Sequence, residues 1–136
     1  MEFSVDINPA NHCAIVGLDG PFVLPSLERA CTRLINHPDW RSDFDIALVI
    51  RNETDFNEVT LDRLKEVQAF MGGWNAEHRS GPNPRTAIVC NDDFKRVMAD
   101  LWLALVGNEW PIELGIFTST QDALNWFARP ANAAQT

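Results

Sequence analysis

Tyrosine is missing from this 136-residue chain, and cysteine is scarce, with only Cys13, Cys31 and Cys90. Three scattered thiols in apolar settings make no disulfide framework; they read as reduced core residues, which points to the cytoplasm. Basic residues are also few. Lys and Arg number 11 against 19 Asp and Glu, for a formal net charge of −8. That excludes a nucleic-acid binder built on clustered cations, and it disfavours simple electrostatic docking to anionic lipid. No apolar run reaches membrane-spanning length, and the first residues lack the basic-then-apolar pattern of a signal peptide. The three histidines, His12, His37 and His78, have no i, i+4 pairing and no Cys-x-x-Cys company, so the expectation is no metal and no cofactor. Gly72-Gly73 does not follow a strand, so it is no phosphate-cradling loop; a helix stop is the simpler reading.

The most informative stretch is Phe44 to Asn52. Ile46-Ala-Leu-Val-Ile50 is an unbroken apolar run with three β-branched residues, the pattern of a strand buried on both faces. The remaining elements arrange around it. Phe3 to Ile7 alternates as an edge strand, Asn8 to Asn11 is a turn, and Cys13 to Leu18 returns as the second arm of a hairpin broken by Asp19-Gly20-Pro21. Leu27, Ala30, Cys31, Leu34 and Ile35 predict a helix over 25–36, ended at His37-Pro38. A second helix is expected over 57–71, with Leu61, Leu64, Val67 and Met71 on its apolar face and Gly72-Gly73 as its stop. The segment 74–84 then reads as one long irregular, mobile stretch. Thr86 to Cys90 is a further buried strand and 93–106 a third helix. Ile112 to Phe117 is the last strand. A fourth helix over 119–128 is capped by Thr118 with Gln121 three residues later. Residues 1–128 form one domain, and 129–136 read as a frayed tail. The order is ββαβαβαβα: an α/β fold with a mixed, mostly parallel sheet flanked by four helices.

Several short signals then fall in a familiar order: His37-Pro38-Asp39-Trp40, the strand opening Phe44-Asp45, Arg85-Thr86-Ala87-Ile88-Val89, and Ile116-Phe117 followed by Ala123-Leu124-Asn125-Trp126-Phe127. From about Phe3 to Phe127 the chain resembles the SpoIIAA-like family of the STAS superfamily. The resemblance implies a STAS-like domain with no settled enzymatic activity, acting as a regulatory or ligand-sensing module. It also implies a likeness in fold to lipid-binding SEC14-type domains. Members that antagonise anti-sigma factors carry a phosphorylatable Ser in a turn after the central strand. Residues 52–60 here hold no Ser, and their acidic residues oppose a phosphate. Thr54 and Thr60 are the only substitutes for that phosphoacceptor.

Candidate sites follow from the same reading. Strand carboxyl ends favour ligands, and Arg51, Asp92, Asp93 and Ser119 should meet there. Helix capping explains Asp92 and Thr118 equally well, and a nearby carboxylate would occupy Arg51. Asp92 and Asp93 are adjacent and have no His beside them, so acid-base catalysis is not expected. The aromatic residues suggest more. Phe94, Met98, Leu101, Trp102, Leu105 and Trp110 would line an apolar pocket, with 93–106 and the Trp74 segment as a movable cover and Arg51 fixing a head group. Ordinary core packing is the competing account of these residues. The expected partners are a small apolar or amphipathic ligand, or a protein, including one associated with a membrane. An exposed first strand or third helix would support a homodimer.

Overall fold

The computed structural model describes residues 2–55, 60–81, 84–93, 96–97, 99–100, 104 and 112–128. Its strands are β1 (Glu2–Asn8), β2 (Cys13–Pro21), β3 (Asp45–Asp55), β4 (Arg85–Cys90) and β5 (Glu113–Phe117). Three helices complete the described elements: α1 (Leu24–Ile35), α2 (Leu61–His78) and α3 (Thr120–Phe127). The fold is α/β with one mixed sheet in the order β1-β2-β3-β4-β5. β1 runs antiparallel to β2, and every later pair is parallel. A 3-10 turn at Pro9–Asn11 joins the first two strands, and His12 closes it in the left-handed region at φ 53°.

β3 sits in the middle, as its apolar run requires. Period-2 alternation sends Ile46, Leu48 and Ile50 to one face and Asp45, Ala47, Val49 and Arg51 to the other. On the first face, α1 and α2 pack over Ala14, Val16, Leu18 and Ile46. Ala99 joins Ile50, Ile88 and Cys90 on that same face. On the second face, α3 places Ala123 and Trp126 against Val49, Ala87, Val89 and Phe117. Both faces are therefore covered along Ile46–Ile50 of β3 and Ala87–Cys90 of β4, which is why those stretches carry no polar residues.

Boundaries differ from the sequence reading: β3 runs on past Asn52 to Asp55, α2 starts at Leu61 rather than 57, and three further differences bear on the fold. β2 does not stop at Asp19 but runs to Pro21, through a register shift at Leu18/Gly20 that Gly20 takes up at φ 80°. α3 is capped by Ser119, not Thr118: the Ser119 hydroxyl accepts from the Asp122 amide at 3.1 Å. The third correction concerns the functional surface. α2 does not end at Gly72-Gly73. Thr60 caps its start by accepting from the Arg63 amide, and the helix continues to His78. Leu64, Val67, Met71 and Trp74 make one stripe across the glycine pair, and burying Trp74 outweighs the low helix propensity of two glycines. Leu61, expected on the apolar face, is exposed. Of the helix expected over 93–106, Asp93, Arg96, Val97, Ala99, Asp100 and Ala104 are helical, and the other positions lie outside the described residues.

Candidate functional site

The feature with the most chemical content lies between the first sheet face and the α1–α2 pair. A partly open cavity of about 50 Å³ lies there. α1 contributes Ala30, Cys31 and Leu34, and α2 contributes Met71, Trp74 and Asn75, with Arg79 just past its end. Val16, Ile46, Leu48, Thr86 and Leu114 form the floor. The Cys31 thiol reaches the Met71 sulfur at 3.9 Å and ties the two helices together over the cavity. The free surface inside is apolar.

The wall at the α2 C-terminal end is different. Asn75 is 1% exposed, and neither atom of its side-chain amide has a hydrogen-bond partner among the described residues. Trp74 Nε1 and Arg79 Nε are buried and unpartnered in the same way. An orphaned buried polar group costs about 1–3 kcal/mol, so four atoms clustered within about one and a half helical turns need an explanation. The rest of the Arg79 guanidinium is engaged: Nη1 donates to Thr86 Oγ1 and Nη2 to the Arg85 carbonyl, both at 2.8 Å. Burial pulls its pKa down to about 10, with Asp45 acting against that fall, so it stays cationic at neutral pH. Among the described residues no carboxylate forms an ion pair with it. Trp74 stacks obliquely between Trp40 and His78, at centroid distances of 6.4 and 5.4 Å. Burial pushes the Cys31 thiol up to about 12, with Glu28 adding to the rise, so it remains a protonated, apolar wall group.

Arg51 stands on the opposite face. It lies across Gly17, pairs with Asp19 at 2.8 Å and donates to Ser4 Oγ at 3.1 Å. Nothing brings it to Trp74, so the head-group role falls to other residues if the α1–α2 cavity is the site. Trp74 itself is helical and buried, not part of a mobile irregular segment. Phe94, Met98, Leu101, Trp102, Leu105 and Trp110 lie outside the described residues. Thr60 is the exposed cap of α2, and Thr54 lies on β3 opposite Gly20. Asp92 accepts the Arg96 amide through its carbonyl at 2.9 Å, as a residue at a helix start does. Asp45 is raised above the ordinary carboxylate range by burial, opposed by the Arg85 amide and the Arg79 and Arg85 cations. The Arg85 amide donates to Asp45 Oδ1 at 3.0 Å, and the Arg85 guanidinium reaches the Trp126 carbonyl and the Glu113 carboxylate. That cluster locks β3, β4, β5 and α3 together.

Asn75 and Arg79 escape the sequence reading because a helix stop at Gly72-Gly73 leaves both in a loop. Their i, i+4 spacing, in phase with Met71 and Trp74, is the available signal. Among the described residues no group of three or more His, Cys, Asp or Glu could hold a metal ion, and no helix is long and apolar enough to cross a membrane.

No family model matches the chain, and no curated protein matches it. Among solved structures, it is similar to a protein of unknown function from Arthrobacter sp. FB24. The identity is 23%, with 93% of this chain and 100% of that chain covered and a TM-score of 0.29. A likeness that distant carries nothing about the site.

Proposed function

We propose that this protein is a non-enzymatic, STAS-like binding module for a small apolar or amphipathic ligand. One observation supports it most: an apolar cavity lined in part by Trp74, Asn75 and Arg79, residues that also carry four buried, unpartnered polar atoms around the end of α2. Small-molecule sites have this composition, mostly apolar with a few placed polar groups. The ββα order of the chain's start and the parallel strands that follow agree with the SpoIIAA-like resemblance at the level of fold class. Binding through the 93–106 segment, as that resemblance suggests, remains part of the proposal. The α1–α2 cavity is a volume lined by described side chains whose free surface is wholly apolar.

Native mass spectrometry of freshly purified protein, followed by denaturing mass spectrometry of the same sample, tests the reading. The expected result is an added mass on the native ion that disappears on denaturation. A clean chain mass, together with failure of small apolar probes to enter the cavity, would turn the assignment toward a regulatory interaction module acting on a protein partner.

A further inference from the structure

We infer that the outer edge of β1 is a self-association site. A second copy of the chain adds there antiparallel, about a two-fold axis at Val5, and the two five-stranded sheets become one. This inference is independent of the cavity.

The edge itself is the first observation. Among the described residues β2 is the only strand beside β1. One row of β1 backbone N–H and C=O groups therefore has no ladder partner, and such a row is a template for another strand. Natural edges are blunted by shortness, Lys, Pro or a bulge. β1 has none of these: it spans seven residues, holds no Lys or Pro, and pairs with β2 in unbroken register. The opposite edge, β5, is five residues long.

Charge then selects the occupant and its register. A two-fold axis normal to the sheet must pass through a residue, so that facing side chains share a face. An axis at Asp6 sets that carboxylate against its own copy, and like charges directly opposite destabilise. An axis at Ser4 leaves Ile7 and Asn8 beyond the partner strand, which begins at Glu2. An axis at Val5 opposes all seven residues. On the first face it sets Phe3, only partly buried, against the partner's Ile7 and extends the apolar layer. On the second face it sets Ser4 against the partner's Asp6. The Ser4 hydroxyl accepts from Arg51 Nη2 at 3.1 Å, which leaves its own proton to donate. Asp6 is exposed and forms no ion pair among the described residues. Directly opposite Cβ atoms lie about 4.5–5.5 Å apart, so that carboxylate reaches the hydroxyl, with the Arg51 cation behind it. The edge is thus self-complementary, as a two-fold interface requires.

Sedimentation equilibrium of the full chain over a concentration series tests this, with a dimer as the expected species. Asp6→Lys, at an exposed position, should raise the dimer dissociation constant at least about tenfold, a difference of about 1.4 kcal/mol. Val5→Cys should oxidise to a covalent dimer, because opposite Cα atoms lie about 4.5–5.5 Å apart, within disulfide reach. Asp6→Cys alone should not, since an offset of two residues takes its copies beyond about 7 Å. Should Val5→Cys fail to fold, an equal mixture of Ser4→Cys and Asp6→Cys chains should yield the mixed disulfide. A monomer at every concentration overturns the inference. A dimer that Asp6→Lys leaves unchanged, or that these thiols do not cross-link as stated, uses another surface or register and overturns it too.

Discussion

Two arginines show how position decides what one residue type does. By composition alone, Arg51 and Arg79 are equal candidates for holding a head group. Arg51 is 44% exposed by side chain and neutralised at the surface by Asp19. Such pairs contribute about 0–1 kcal/mol. Arg79 is 8% exposed and has an orphaned Nε beside a cavity. What allows Arg51 to lie flat is Gly17: a Cβ there would meet Arg51 Nη2 at 2.5 Å and Cζ at 2.6 Å, and Ser4 Oγ at 2.9 Å. The atoms in the way are the far end of a flexible, half-exposed side chain and a rotatable hydroxyl, so they can move. Gly17→Ala should therefore cost about 1 kcal/mol or less, chiefly the surface ion pair. In an Arg51→Ala background the same substitution should be close to neutral. Urea melts of the four members of that cycle measure the coupling. An equal, large loss in both backgrounds would show that the β1–β2 backbone, not Arg51, resists the added methyl.

At the scale of elements, the clearest lesson is α2. Buried strands are legible, because an apolar run with β-branched residues has little alternative to the middle of a parallel sheet. β3 and β4 begin within a residue of where their apolar runs place them. The end of α2 is not legible, because Gly72-Gly73 looks like a stop and local propensity is a weak guide where a large side chain waits beyond. Trp74 is that side chain, 7% exposed. A stop at the glycines hides the candidate site, since the i, i+4 spacing of Asn75 and Arg79 carries information only if the helix continues past Gly73. The α3 cap shifts by one residue within Thr118-Ser119-Thr120, where three hydroxyl residues compete for one role. Continuity of α2 through the glycine pair has a measurable consequence. Gly73 is exposed, lies inside the helix, and has nothing within 4 Å of where a Cβ would sit. Gly73→Ala should raise stability by about 0.5–1 kcal/mol, seen as a higher urea midpoint at unchanged slope. Destabilisation would mean that residues 61–78 do not form one continuous helix in solution.

For the molecule as a whole, the three thiols offer a readout that joins fold and site. Cys13 lies in β2, Cys31 in α1 and Cys90 in β4, and all three are buried. Burial raises the Cys13 pKa, with Asp45 adding to it, and carries Cys31 to about 12. Alkylation of these buried thiols therefore requires an opening that exposes them. Cys13 and Cys90 belong to the paired interior of the sheet and should label only as fast as the whole domain unfolds. Cys31 differs, because α1 roofs the cavity and can lift from the sheet while the strands stay paired. Cys31 should label first in native buffer, and a small occupant of the cavity should slow it selectively by holding α1 and α2 together. Mass spectrometry of peptides after timed iodoacetamide exposure, with and without xenon pressure, follows all three sites in one experiment. Uniform labelling that xenon leaves unchanged would make the α1 roof part of the global unfolding unit, and ligand entry would then require opening the entire domain.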